Sequence, residues 1–213
     1  MTVPYLDCNA STPVDDEVRQ RMLEVLQMTG NPSASHAAGR AMAALVDNAL
    51  AQVATLTGFA AHEVVVTSGA TEANAMAFRG RSDVTHVLVS PLEHASVRAE
   101  AKRLQARGAE VEELRVDHGG RVRVDDLRSK LRATTSLVSV MGASNLTSVV
   151  QPLDDMAHVL RDHPAVFHVD GAQLVGKRGD AIPERVDLLS LSAHKFFGPQ
   201  GVGALCIRER VAD

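Results

Sequence analysis

Ser192-Ala193-His194-Lys195 follows the apolar run Leu188-Leu189-Ser190-Leu191, and Asp170 closes an earlier run, Val166-Phe167-His168-Val169. A lysine just beyond one strand and a carboxylate at the end of another suit pyridoxal 5'-phosphate chemistry. The amine condenses with the cofactor aldehyde, and the carboxylate keeps the pyridine nitrogen protonated so the ring can accept electrons from a carbanion. Lys195 also reads as a solvated surface charge. Phe196 and Phe197 follow it at once, however, and a partly buried setting would depress the pKa of its amine. Asp170 reads equally as a helix cap, although Val-Asp-Gly-Ala-Gln at a strand end is a better setting for a reactive carboxylate than most.

Other polar residues stand at similar strand ends. Thr67-Ser68-Gly69-Ala70-Thr71-Glu72 opens a helix, where free amides, the Thr71 hydroxyl and Gly69 would cradle a phosphate. An ordinary helix start capped by Ser68 or Thr71 fits the same residues. His94, after Pro91-Leu92-Glu93, could stack on a flat ring and move protons, or be an exposed loop histidine. Asn145 in Gly142-Ala143-Ser144-Asn145 offers an amide, or belongs to a plain turn. Gln173 follows Asp170, and Ser192 and His194 flank the lysine as further phosphate donors.

Those residues need elements to hold them. Helical patterns cover residues 15–28, 36–56, 71–79, 95–105, 124–131 and 153–160. Strand patterns cover 64–67, 87–89, 111–116, 137–141, 166–169, 188–191 and 202–207. Seven strands with interleaved helices predict an α/β fold of three layers, a seven-stranded mostly parallel sheet with helices on both faces. In such sheets ligands bind beyond the carboxyl ends of the strands. The last strand follows a short Gly/Pro loop with no helix, so it is expected to run antiparallel to its neighbour. The chain divides into an N-terminal arm, 1–14, and one domain, 15–213, with no room for a second.

Composition narrows the partners. The 213 residues are 45% hydrophobic, and 22 basic against 26 acidic side chains leave a net charge of −4. No basic face for nucleic acid or membrane follows from that balance. No apolar stretch nears the roughly 20 residues of a membrane span, and the start lacks a secretion signal, so a cytoplasmic protein is expected. Cys8 and Cys206 lie far apart in unlike contexts and predict no disulfide. His158, His163, His168 and Asp170 match no tetrahedral metal pattern, and no metal is expected. The glycines of residues 198–203 precede a strand, the wrong context for a dinucleotide loop.

The ordered motifs resemble cysteine desulfurases, pyridoxal-phosphate enzymes of the class V aminotransferase superfamily. They are Leu6-Asp7-Cys8-Asn9-Ala10-Ser11-Thr12-Pro13, Gly30-Asn31-Pro32-Ser33 with His36, Gly39 and Arg40, and Thr67 through Asn74. Glu93-His94, Val138-Ser139-Val140-Met141, His168 through Gln173 and Ser192 through Phe196 continue the series. The resemblance implies the large domain of the aspartate-aminotransferase-like fold. It implies that Lys195 holds the cofactor and acts as base at the substrate α-carbon, with His94 and Asp170 as its catalytic companions. Asp170 would meet the ring nitrogen, Gln173 the phenolic oxygen and His94 the ring face. Ala70, Thr71, Ser192 and His194 would hold the phosphate, and Asn145 would contact ring or substrate.

The same resemblance implies conversion of cysteine to alanine, a homodimer, and a sulfur-acceptor or scaffold protein serving iron–sulfur cluster, tRNA or thio-cofactor synthesis. Two departures stand out. Ser144-Asn145-Leu146-Thr147-Ser148-Val149 replaces the family's Asn-Asn-Glu-Val-Gly-Thr. The family's persulfide cysteine, its carboxylate-binding arginine and a threonine lent by the partner subunit fall beyond residue 213, and neither Cys8 nor Cys206 matches the acceptor. A chain truncated to the N-terminal and cofactor-binding part, without the C-terminal small domain, is therefore expected. Two other readings stay open: a selenocysteine lyase or other class V enzyme, and a non-catalytic remnant that pairs with a full-length homologue.

Overall fold

The computed structural model describes residues 4–81, 84–179 and 182–212. Residues 4–15 run as an arm without regular structure apart from a turn at 8–10. Helix α1 (Asp16–Leu26) starts at Asp15, whose carboxylate accepts from the Glu17 amide. Helix α2 (Ala37–Thr57) starts at His36, whose ring accepts from the Gly39 amide, and stops at Gly58 in the left-handed conformation. The remaining order is β1 (Val64–Thr67), α3 (Ala70–Arg79), β2 (His86–Val89), α4 (Ala95–Ala106), β3 (Glu110–Glu113) and α5 (Val124–Lys130). It ends with β4 (Thr135–Met141), α6 (Leu153–Val159), β5 (Val166–Asp170), β6 (Leu188–Ser192) and β7 (Gly203–Ile207).

All seven predicted strands join one sheet, in the order β1-β7-β6-β5-β4-β2-β3. β7 is antiparallel to both β1 and β6, while the other pairs are parallel. The short Gly/Pro loop before β7 leaves no length for a crossover helix, so the strand must turn back on its neighbour. β3 is shorter than predicted: Val116 leaves the sheet and bridges antiparallel to Val122.

Alternation along the central strands sends side chains to two cores. One face packs Val138, Val140, Phe167, Val169, Leu189 and Leu191 against α2, α5 and α6. The other packs Leu137, Val166 and Leu188 against Ala73, Ala77 and Phe78 of α3 and Val97, Ala101 and Leu104 of α4. Polar residues interrupt this second face in a row. His168 is fully buried, with Nδ1 against the Ser139 hydroxyl at 2.8 Å and Nε2 against the Ser190 hydroxyl at 3.0 Å. Burial drives its pKa down to about 3, so it stays neutral. Phe78 meets the His168 ring edge-on at 5.8 Å. Two hydroxyls thus satisfy a histidine that would otherwise be costly in the core.

Candidate active site

The strand register brings the reactive ends into line. Met141 pairs with Asp170, Asp170 with Ser190, Ser192 with Gly203, and Gly203 with Thr67. Beyond this row lies a cavity of about 360 Å³ lined by Ala70, Thr71, His94, Asn145, Asp170, Gln173, Ser192, His194 and Lys195. Every site residue expected from the sequence therefore faces one space. Its volume suits a small organic cofactor.

Lys195 ends a short 3-10 turn, Ala193–Lys195, directly after β6. Its Nζ donates to the carbonyls of Asn9 at 2.8 Å and Ala10 at 3.0 Å. The arm is in turn fastened to the lysine's own loop. Thr12 N donates to His194 O at 2.8 Å, its hydroxyl donates to the same oxygen at 3.0 Å, and Phe197 N donates to that hydroxyl at 2.6 Å. Burial lowers the Lys195 pKa, with Asp170 and Asp7 pulling the other way, which favours a neutral, nucleophilic amine.

Asp170 is buried at the end of β5, 5% exposed. Its Oδ1 accepts from Ala172 N at 3.0 Å and its Oδ2 from Asn74 Nδ2 at 2.8 Å. Burial raises its pKa, opposed first by the Asn74 bond and then by Ala172, His94 and Lys195. The bond to Ala172 has the form of a local cap, so the capping reading and the site reading both describe this carboxylate. Beside it lies Glu93, 3% exposed, with Oε1 accepting from Met141 N at 2.6 Å.

Around Ala70 and Thr71, neither Ser68 nor Thr71 caps the helix. The residue before α3 is Gly69, at φ 152°, with no side-chain cap, and Glu72 instead reaches back to Ser68 N at 2.6 Å. The opening amides of α3 thus keep the free donors of a helix start. A Cβ at Gly69 would lie 3.5 Å from Ser192 Oγ and force a left-handed conformation. The Ser192 hydroxyl and His194 Nδ1 are 3.1 Å apart on the same wall. Burial, then the Lys195 charge, lowers the His194 pKa.

His94 is the N-cap of α4, its Nδ1 accepting from Ser96 N. Gln173 donates from Nε2 to Asn9 O at 2.8 Å and accepts from Lys177 Nζ. Asn145 receives Asn9 Nδ2 at its carbonyl, 3.2 Å away. The altered loop keeps a left-handed residue even with serine in place of glycine, since Ser148 sits at φ 58° and its amide donates to Ser144 O at 3.0 Å.

Asn74, Ser96 and Glu93, and the carbonyls of Asn9 and Ala10, carry contacts that the sequence reading assigned to no role. Spacing offered one signal: Asn74 lies three residues after Thr71, on the same helical face. The histidines weighed as metal ligands are dispersed. His158 bonds Arg161 at the surface, His163 bonds Arg132 O, and His168 is enclosed within the sheet. Among the described residues His86, Glu110 and Glu112 do converge, but Arg132 already bonds both carboxylates.

This donor set fits pyridoxal phosphate: an amine for its aldehyde, a buried carboxylate for its ring nitrogen, and a helix start with hydroxyls for its phosphate. A larger groove, about 860 Å³, lies at the opposite end of the sheet, but Arg185 there pairs with Asp187 and Arg208 with Glu63.

Comparisons with known proteins agree in kind. The chain is 38% identical over 214 residues to the mitochondrial cysteine desulfurase of Candida albicans, covering 97% of this chain and 44% of that protein. It is 39% identical over 217 residues to cysteine desulfurase IscS of Neisseria meningitidis, covering 98% of this chain and 54% of the relative. The chain thus spans about half the length of the curated relatives it matches. A structure of SspA in complex with cysteine superposes with a TM-score of 0.92 at 31% identity, over 97% of this chain and 62% of that one. DndA from Streptomyces lividans superposes with a TM-score of 0.85 at 36% identity, over 99% and 61% respectively. The family model for Aminotransferase class-V matches residues 4–213. With that match running through every strand and both walls of the cavity, the chain belongs to the class-V aminotransferase family.

Proposed function

We propose that this chain is the cofactor-binding part of a pyridoxal-phosphate-dependent cysteine desulfurase, converting cysteine to alanine and passing sulfur to an acceptor. The observation that carries the reading is one cavity holding both the Lys195 amine and the Asp170 carboxylate. Names of relatives that span the whole chain point to the same reaction. When bound, pyridoxal phosphate supplies the aldehyde that joins the lysine and the protonated ring that draws electrons from the substrate α-carbon.

Each wall then has a task. Asp170 holds the proton at the ring nitrogen, since a buried anion beside that nitrogen stabilises its cationic form. Ala70 and Thr71 at the start of α3, with Ser192 and His194, anchor the phosphate. His94 would cover the ring face, and the Gln173 amide would donate to the phenolic oxygen. Asn145 orients ring or substrate at the mouth. Lys195 moves the proton at the substrate α-carbon, which its lowered pKa favours. The acceptor of the sulfur, a homodimeric assembly and a role in iron–sulfur or thio-cofactor synthesis are part of the same proposal.

The test is direct. Purified chain mixed with pyridoxal phosphate is expected to develop a visible absorption band that Lys195→Ala abolishes. Asp170→Asn is expected to retain the band while weakening cofactor binding. No band in the wild type would overturn the assignment. Alanine and sulfide assays on cysteine, with and without a full-length relative, then separate an active piece from one that needs a partner.

A further inference from the structure

Resting on the cofactor reading of this cavity, we propose that Asn74 and Ser96 are positioning residues. They join Asp170 and His94 through one directed hydrogen-bond chain that orients the carboxylate and fixes the tautomer of the imidazole.

The bonds have only one consistent direction. Asn74 Nδ2 lies 2.8 Å from Asp170 Oδ2 and 2.9 Å from Ser96 Oγ, so both amide hydrogens are committed. Flipping the amide would set its oxygen against a carboxylate that only accepts, so the charge of Asp170 dictates the orientation. Because Ser96 Oγ accepts from Asn74, its own hydrogen is free for His94 Nδ1, 2.8 Å away. The backbone amide of Ser96 also donates to that nitrogen, at 3.2 Å. A ring nitrogen receiving two donors carries no proton, and the imidazole hydrogen of neutral His94 is therefore on Nε2. His94 thus offers the cavity a donor and no lone pair. In the same chain, the bond from Asn74 offsets the burial that raises the pKa of Asp170.

A second observation argues that Asn74 is kept for this chain and not for packing. It is 0% exposed, on the face of α3 against the sheet, and its Oδ1 has no hydrogen-bond partner among the described residues. An apolar residue of similar volume would avoid that orphaned oxygen. What an apolar residue could not do is donate twice, once to the carboxylate and once to the hydroxyl.

The proposal makes each end sensitive to the other. Long-range nitrogen–proton spectra of the full chain without cofactor would resolve the nine histidines, with His94→Gln identifying the signal of interest. The wild type is expected to show Nδ1 bare and Nε2 protonated. Ser96→Ala and Asn74→Ala are expected to shift the Nδ1 resonance toward that of an unbonded imidazole nitrogen, and Ser96→Thr to restore it. Ser96→Ala is also expected to move the carboxyl carbon resonance of Asp170, which Ser96 does not touch. Absorbance titration with pyridoxal phosphate should show about fivefold weaker binding in Ser96→Ala, the size of one lost hydrogen bond.

A protonated Nδ1 in the wild type would overturn the proposal. So would Ser96→Ala leaving the Asp170 signal in place. If Asn74→Ala does not fold, the two Ser96 variants carry the test alone. If the wild type fails to bind pyridoxal phosphate, the cofactor reading falls while the spectra still decide whether the chain of bonds exists.

Discussion

Glu93 is the least obvious ionisable group at the site. Burial, then the charge of Asp170, pushes its pKa well above the ordinary 4.5, and its Oε2 has no partner among the described residues. Both influences favour its neutral form, so of the two carboxylates Asp170, with Asn74 and Ala172 as donors, is the better placed to hold a charge. A folded-state pKa above the unfolded value means that the stability is fully present below about pH 4.5. It is lost as pH rises from there toward the folded pKa, by up to about 1.4 kcal/mol per pH unit. Glu93→Gln removes that dependence. Thermal midpoints of the two proteins should converge near pH 4 and separate as pH rises, the variant becoming the more stable. A constant difference across pH 4–8 would show that Glu93 is already ionised.

The cysteines are expected to part just as clearly. Cys206 is buried, and its pKa is pushed up to about 11 by burial, whereas Cys8 is exposed on the arm. An alkylating reagent at neutral pH should label one thiol in the native protein and two after denaturation, counted by mass spectrometry. Lys195, Asp170 and His94 could be read as one group because each follows an apolar run, although cap, loop and surface readings competed, and His94 and Asp170 do make cap-like bonds. Glu93 and Asn74 could not, because sequence alone does not say which face of a helix or loop meets a carboxylate.

Strands β2, β4, β5, β6 and β7 were legible for a simple reason: they are largely apolar and buried, and burial on both faces demands such runs. Where the reading overshot, at Val116, the apolar residue was real but its partner was local, Val122, and not the sheet. Nor could the arm be read as part of the site. Its contribution to Lys195 is two backbone carbonyls, which carry no side-chain signature. Two glycines at the start of β7 have different roles. A Cβ at Gly203 would lie 2.4 Å from Leu191 O and 2.6 Å from Gly69 Cα, both backbone atoms. One at Gly201, φ 80°, would meet nothing but would hold a left-handed residue. Gly201→Ala should therefore cost about 1–2 kcal/mol in urea unfolding. Gly203→Ala should cost more, because its Cβ would press on the backbone of both Leu191 and Gly69. Equal costs in urea would refute that division.

Helix α1 remains poorly covered by the described residues. Helix α1 contains no buried residue, and Met22, Leu23 and Leu26 on it are 42%, 51% and 77% exposed. Val46 and Leu56 of α2 are exposed as well. Single exposed apolar side chains are ordinary, but a run of them along one helix marks a surface that gains from contact. Relatives about twice as long have further chain available to meet such a surface. For the chain as given, a second copy is the occupant at hand, which accords with the proposed homodimer. Sedimentation at increasing concentration should show self-association. Leu23→Glu with Leu26→Glu should weaken it about tenfold or more, since burying half of two leucines contributes about 1.5–3 kcal/mol against the 1.4 kcal/mol of a tenfold change. Because α1 buries none of its residues in the core, the thermal midpoint of the dilute protein should hardly move. A large fall in that midpoint would mean that α1 stabilises the fold itself, and unchanged association would place the contact surface elsewhere.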